Sequence, residues 1–99
     1  MIEIKQEHTK NNGKFVVYYD AIEAGYLKYD ILTNNDLKAN GTLVYDDYRD
    51  KKLGTPLFNA FINFVKANNL KVYPTCPYIV AMFEKHTELA NLLSNDYEN

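Results

Sequence analysis

Apolar and polar side chains alternate from the second residue onward: Ile2 and Ile4 are separated by Glu3 and Lys5, the period-two pattern of a half-buried strand ending near Gln6. A polar run, His8-Thr9-Lys10-Asn11-Asn12-Gly13, follows, and Asn12-Gly13 favours a tight hairpin turn because both residues tolerate positive φ. Lys14-Phe15-Val16-Val17-Tyr18-Tyr19 reads as a β-branched and aromatic strand. A second turn over residues 20–23 leads into a strand at 24–31. A third, Thr33-Asn34-Asn35-Asp36, leads into a strand at 37–45, with Gly41 as a bulge or close-approach point. Four such strands predict an antiparallel meander.

The period then changes. Leu57, Phe58, Phe61, Ile62 and Val65 recur at helical spacing, Thr55 is placed to cap the helix, and Pro56 suits its first turn. The helix should run to Lys66 and be stopped by Asn68 and Asn69. Leu70-Lys71-Val72-Tyr73 is a short strand that the helix, acting as a crossover, lays beside the strand before it. Pro74 and Pro77 bracket Thr75 and Cys76 in a stiff segment. Pro77 then opens a second helix over 78–85, and Thr87 is placed to cap a last short one carrying Leu89, Ala90, Leu92 and Leu93. The tail at 94–99 is polar and is expected to fray. Together these elements predict an α+β class, a mostly antiparallel sheet with a central helix packed on it and short helices at the C-terminal end.

Composition narrows the picture. Ninety-nine residues with 46% apolar and 14% aromatic content imply a single domain over 1–99 with one core. The net charge of −2, the lone arginine Arg49 and the scatter of the lysines argue against a nucleic-acid surface, which needs many phosphate contacts. No stretch has the length and apolarity of a membrane span, and the first residues lack the basic-then-apolar pattern of a secretory signal, so a cytoplasmic protein is expected. One cysteine and two distant histidines form neither an internal disulfide nor a metal set, and no metal is expected.

Two stretches carry candidate chemistry. In the first, the strand Thr42-Leu43-Val44-Tyr45 feeds the turn Asp46-Asp47-Tyr48-Arg49-Asp50-Lys51-Lys52-Leu53-Gly54 and then the long helix. A strand that opens a helix through a turn aims free N–H groups and the positive end of the helix dipole at one spot, which suits a phosphate. Arg49, Lys51 and Lys52 add positive charge there. The second stretch is Pro74-Thr75-Cys76-Pro77-Tyr78. Cys76 reads either as a reactive thiol or as a small core residue, Tyr78 either as a proton donor or as a half-buried aromatic, and His86 either as a base or as a helix-end residue meeting the dipole.

Antiparallel strands, basic turn, helix, strand and helix in this order resemble the GCN5-related N-acetyltransferases, in particular their minimal branch of roughly hundred-residue domains. There the turn resembles Arg-Gly-x-Gly-Ile-Gly and the later segment Cys-Ser-Tyr-Val before a Lys-His pair. Here these are Arg49-Asp50-Lys51-Lys52-Leu53-Gly54, Cys76-Pro77-Tyr78-Ile79 and Lys85-His86. Asp50 and Lys52 stand where that pattern has its first two glycines, and Gly41 where a histidine is often found.

The resemblance implies acetyl-coenzyme A as cosubstrate, with Leu43, Val44 and Tyr45 along its pantetheine arm and Arg49, Lys51, Lys52, Leu53, Gly54 and Thr55 at its pyrophosphate. It places Cys76 and Tyr78 at the thioester. The implied activity is transfer of an acetyl group to an amine that the sequence does not identify, a protein or peptide being one candidate. Larger members of the family have helices near the N-terminus that wall the acceptor site; this chain passes from its first strand into a hairpin, which implies an open site. The altered glycines leave a second expectation standing beside the first: a non-catalytic module that binds coenzyme A or another protein on the same fold.

Overall fold

The computed structural model describes residues 1–97, and in it the meander forms as β1 (Ile2–His8), β2 (Asn12–Tyr19), β3 (Ile22–Ile31) and β4 (Leu37–Val44), each antiparallel to the next. The first turn lies one step earlier than the Asn12-Gly13 pair suggested. Both residues open β2, and the turn is held instead by Thr9, whose Oγ1 accepts from the Asn12 N–H at 3.2 Å. Gly13 is required for a different reason: a Cβ there would lie 2.3 Å from the Tyr29 hydroxyl. The second turn is a two-residue reversal in which Asp20 and Ala21 both take positive φ, 49° and 69°.

After a 3-10 helix at Asp46–Lys51, α1 (Gly54–Ala67) crosses over the sheet, and β5 (Val72–Pro74) adds parallel to β4 at its edge. Leu57, Phe58, Phe61, Ile62 and Val65 are the buried face of α1, as their spacing required. Full burial of such a side chain stabilises by about 1.5–3 kcal/mol relative to an exposed position. They meet Phe15, Val17, Leu27, Tyr29, Leu37 and Ala39 of the sheet in one hydrophobic cluster. Next, α2 (Pro77–Lys85) packs beside α1, with Phe83 edge-on to Phe58 at 5.8 Å.

β1 runs on to His8, β3 begins at Ile22 and β5 is shifted to Val72–Pro74, and the helix ends and the tail also differ from expectation. Leu53, fully buried, occupies the N-cap position of α1, so Thr55 sits inside the first turn rather than before it. The last apolar run is a 3-10 helix, Thr87–Leu92, and His86 rather than Thr87 precedes it. The tail does not fray at its start: Leu93 makes a parallel bridge with Val72, Ser94 is buried and donates from its N–H to the Val72 carbonyl at 2.8 Å, and Tyr97 stands edge-on to Tyr73. The rest of that expected fraying, residues 98–99, lies outside the described residues.

Candidate functional site

The site is built on a defect in β4. Lys28 faces Gly41 while its neighbour Tyr29 faces Ala39, so Asn40 is the extra residue of a β-bulge. Before the bulge, β4 turns its backbone to β5, and the Ala39 carbonyl accepts from the N–H groups of both Thr75 (3.0 Å) and Cys76 (3.1 Å). There the pairing stops. Pro74 ends β5, and Pro77 turns the chain into α2. Beyond the bulge the phase of β4 is reversed: the Tyr45 N–H bonds the Ala24 carbonyl at 2.8 Å, which points the backbone groups of Leu43 toward β3 and those of Thr42 and Val44 away from it. An edge of unpaired strand therefore opens where the two parallel strands part.

At the far end of this edge the chain reaches the N-terminus of α1. No side chain caps that helix, Pro56 has no N–H, and the Leu57 N–H is already bonded to the Leu53 carbonyl at 3.3 Å. The dipole of a fourteen-residue helix thus ends at backbone N–H groups with no side-chain partner. Lys52 reaches this point by adopting the left-handed conformation, φ 56° and ψ 44°, at the position where the Arg-Gly-x-Gly-Ile-Gly pattern has its second glycine. Gly54 is needed for close approach, since a Cβ on it would come within 2.8 Å of the Tyr78 hydroxyl.

Thr42, Leu43, Val44, Arg49, Lys52, Leu53, Gly54 and Tyr78 together line a cleft of ≈ 310 Å³. Its walls are apolar along the strand and cationic at the turn. Arg49 is restrained by an exposed ion pair with Asp46, one helical turn earlier, at 3.0 Å. The Tyr78 hydroxyl has no hydrogen-bond partner among the described residues. Cys76 lies behind the cleft, 8% exposed, with its thiol donating to Thr42 Oγ1 at 3.7 Å.

Not every expected residue comes to the cleft. Lys51 turns away, its ammonium over the Tyr19 ring at 5.4 Å from the centroid. Tyr45 leaves the strand on the side of β3 and donates to Glu23, which pushes its pKa up to about 12. Thr55 is exposed beside the cleft on the first turn of α1. His86 is stacked on Phe58 beside Glu88, at the far end of α2 from Cys76. Thr42, conversely, lines the cleft and touches Cys76, although the sequence assigns a role only to the strand residues after it. The bulge hid it, because a period-two reading carried through Asn40 and Gly41 assigns the wrong backbone phase to everything after them.

Comparison with known proteins agrees with this geometry. The family model described as GCN5-related N-acetyl-transferase matches residues 14–92. Among solved structures, the ribosomal-protein-alanine N-acetyltransferase from Brucella melitensis biovar Abortus 2308 superposes with a TM-score of 0.66 at 10% identity, over 100% of this chain and 96% of that one. The protein AAC(6')-Iy, in complex with the bisubstrate analogue CoA-S-monomethyl-acetylneamine, superposes with a TM-score of 0.56 at 13% identity, over 92% of this chain and 65% of that one. At such identities the likeness is one of fold. No curated protein sequence matches the chain significantly.

Proposed function

The chain belongs to the GCN5-related N-acetyltransferases, and from that membership we propose that it transfers an acetyl group from acetyl-coenzyme A to an amine. The observation that carries the reading is the cleft itself: an unpaired strand edge leading to an uncapped helix N-terminus, with Arg49 and Lys52 beside it. An elongated ligand with an amide-bearing arm and a diphosphate has the chemistry this cleft complements. The backbone groups of Thr42 and Val44 pair with the amides of the arm, and Leu53, Gly54 and Thr55 supply N–H groups to the diphosphate. Lys52 and Arg49 offset its charge.

Acetyl-coenzyme A supplies the activated acyl group as a thioester. The chain then has to accommodate a neutral amine, whose proton is the one the departing sulfur takes up. The Tyr78 hydroxyl, unengaged in the cleft, lies against Gly54 at the diphosphate end, where it is placed to donate to a diphosphate oxygen rather than to the sulfur at the other end of the arm. Cys76 acts from behind: its thiol holds the Thr42 hydroxyl, and through it the strand edge on which the arm is laid. The names of the two structural relatives, one an alanine N-acetyltransferase and one held with a coenzyme A–acetylneamine analogue, support an amine acceptor and a coenzyme A donor. Among the described residues β1 passes directly into the β1–β2 turn with no helix over the acceptor side, which favours a large or extended amine such as a protein or peptide.

Calorimetric titration with acetyl-coenzyme A tests the binding half of this reading. Saturable binding is expected, and Gly54→Trp, which fills the cradle and displaces the Tyr78 ring, should abolish it in a variant that circular dichroism still shows to be folded. Thiol release in the presence of an amine panel tests the second half. Tyr78→Phe, which removes a donor at the diphosphate end, should raise KM for acetyl-coenzyme A by about tenfold with little change in kcat. Saturable binding without thiol release across the panel would replace the enzyme reading with that of a binding module. Absence of binding would remove both.

A further inference from the structure

The edge of the sheet opposite the cleft is unprotected. β1 is the outer strand, seven residues long, with no proline and no bulge in its pairing to β2. Two hydrogen bonds fix which of its backbone groups are free. At one end the Asp20 N–H donates to the Met1 carbonyl (2.9 Å), and at the other the Thr9 N–H donates to the Asn12 carbonyl (2.8 Å). Because an antiparallel ladder alternates, odd-numbered residues of β1 face β2 and even-numbered ones face outward. Ile2, Ile4, Gln6 and His8 therefore present an unused row of donors and acceptors, the template on which a further strand forms.

We propose that a second copy of this chain occupies that edge, β1 running antiparallel to β1 across a two-fold axis at Ile4. Charge and the Ile4 contact together select the partner and the register: centring on Gln6 would also oppose Lys5 and Glu7, but it sets Ile4 against His8 instead of against its own mate. Only registers that bring even-numbered residues opposite even-numbered ones satisfy the outward groups. With Ile4 facing its own symmetry mate, Ile2 faces Gln6, and Glu3 faces Lys5 twice, once on each side of the axis. Each Glu3–Lys5 pair is then a non-hydrogen-bonded pair, in which the Cα atoms approach to about 4.5 Å and side chains meet most closely. A two-residue slip toward the C-terminal end would instead set Lys5 against Lys5 and Glu3 against Glu7, opposing like charges throughout.

The side chains are available for this role. Glu3 makes no ion pair among the described residues, and Lys5 is exposed, its ammonium over the Tyr18 ring at 5.2 Å from the centroid. On the helix-bearing face the same arrangement brings together Ile4 and its mate, flanked by Ile2, which is 44% exposed in the single chain. Three facing pairs of outward residues supply about six backbone hydrogen bonds, two per pair. The assembly is a continuous ten-strand sheet, twice the five of one chain. Both clefts lie at its outer ends, where β4 and β5 part, so dimerisation and cofactor binding are independent.

Sedimentation equilibrium of the full chain over a concentration series tests the proposal, with circular dichroism as the control for folding. The wild type is expected at twice the monomer mass at the upper concentrations. Glu3→Lys and Lys5→Glu, each of which turns both attractive pairs repulsive, should weaken association by about tenfold or more. The double variant Glu3→Lys/Lys5→Glu restores both pairs and should restore the dimer. Ile4→Pro removes an outward N–H without touching the bonds to β2 and should give a folded monomer. A wild type that stays monomeric throughout overturns the proposal. So does a dimer that survives Ile4→Pro, and so does failure of the double variant to recover, which would assign the dimer to another surface or register.

Discussion

Lys52 shows how one residue carries a cost for the turn it completes. Its left-handed conformation, φ 56°, costs a residue with a Cβ about 1–2 kcal/mol, whereas glycine adopts it freely. Glycine in turn gives up about 0.5–1 kcal/mol more conformational freedom on folding. The difference favours glycine slightly, so Lys52→Gly should stabilise the protein by about 0.5 kcal/mol, seen as a higher urea midpoint with an unchanged slope. The physical demand at this position was not legible in the residue itself, since lysine does not announce positive φ. Nor does Ala21, at φ 69° in the hairpin turn. Asn35 and Asn69, at φ 70° and 54°, sit where asparagine clusters had already marked turns. Chemistry was legible to a similar degree: Tyr78 does line the cleft, but the burial of Cys76 against Thr42 depends on a strand whose phase the sequence does not display.

At the level of elements, the change from period two to period 3.6 located the meander and α1, because each buries one face and must repeat its apolar residues accordingly. The junction between them was harder to read. Thr55-Pro56 has the composition of a helix start, yet the buried Leu53 side chain draws the helix boundary back to Gly54 and leaves the first turn uncapped. That displacement is what frees the N–H groups for an anion. The 3-10 helix before it brings both charges of the Asp46–Arg49 pair to the same place, at 3.0 Å and largely exposed. An exposed pair is worth about 0.2–1 kcal/mol, which a phosphate must displace to recruit the guanidinium fully. Asp46→Asn should therefore tighten acetyl-coenzyme A binding by about twofold to fivefold in calorimetry at low salt. The gain should shrink as salt screens both interactions.

Across the whole molecule, the contacts that close the fold join segments far apart in the chain, and these left no trace in local pattern. The polar tail suggested fraying, but Ser94 is 4% exposed and its Oγ donates to Asp36 Oδ2 at 2.5 Å, across 58 positions. Asp36 closes the turn that precedes β4, where its Oδ2 also accepts from Asn34 at 3.1 Å. Ser94 therefore ties the C-terminal segment, β5 and the start of the cleft-bearing strand to one another. A hydrogen bond to a charged acceptor contributes about 1.5–3 kcal/mol, less here because the carboxylate keeps Asn34 as a second partner. Ser94→Ala should cost about 1–2 kcal/mol, and a domain of this size loses roughly 4–8 °C in Tm for each kcal/mol. If the bond is the cause, Ser94→Ala should cost much less in an Asp36→Ala background, and the coupling read from that double-mutant cycle by scanning calorimetry should exceed about 0.5 kcal/mol. Additive losses would instead assign the effect to packing of the tail against β5.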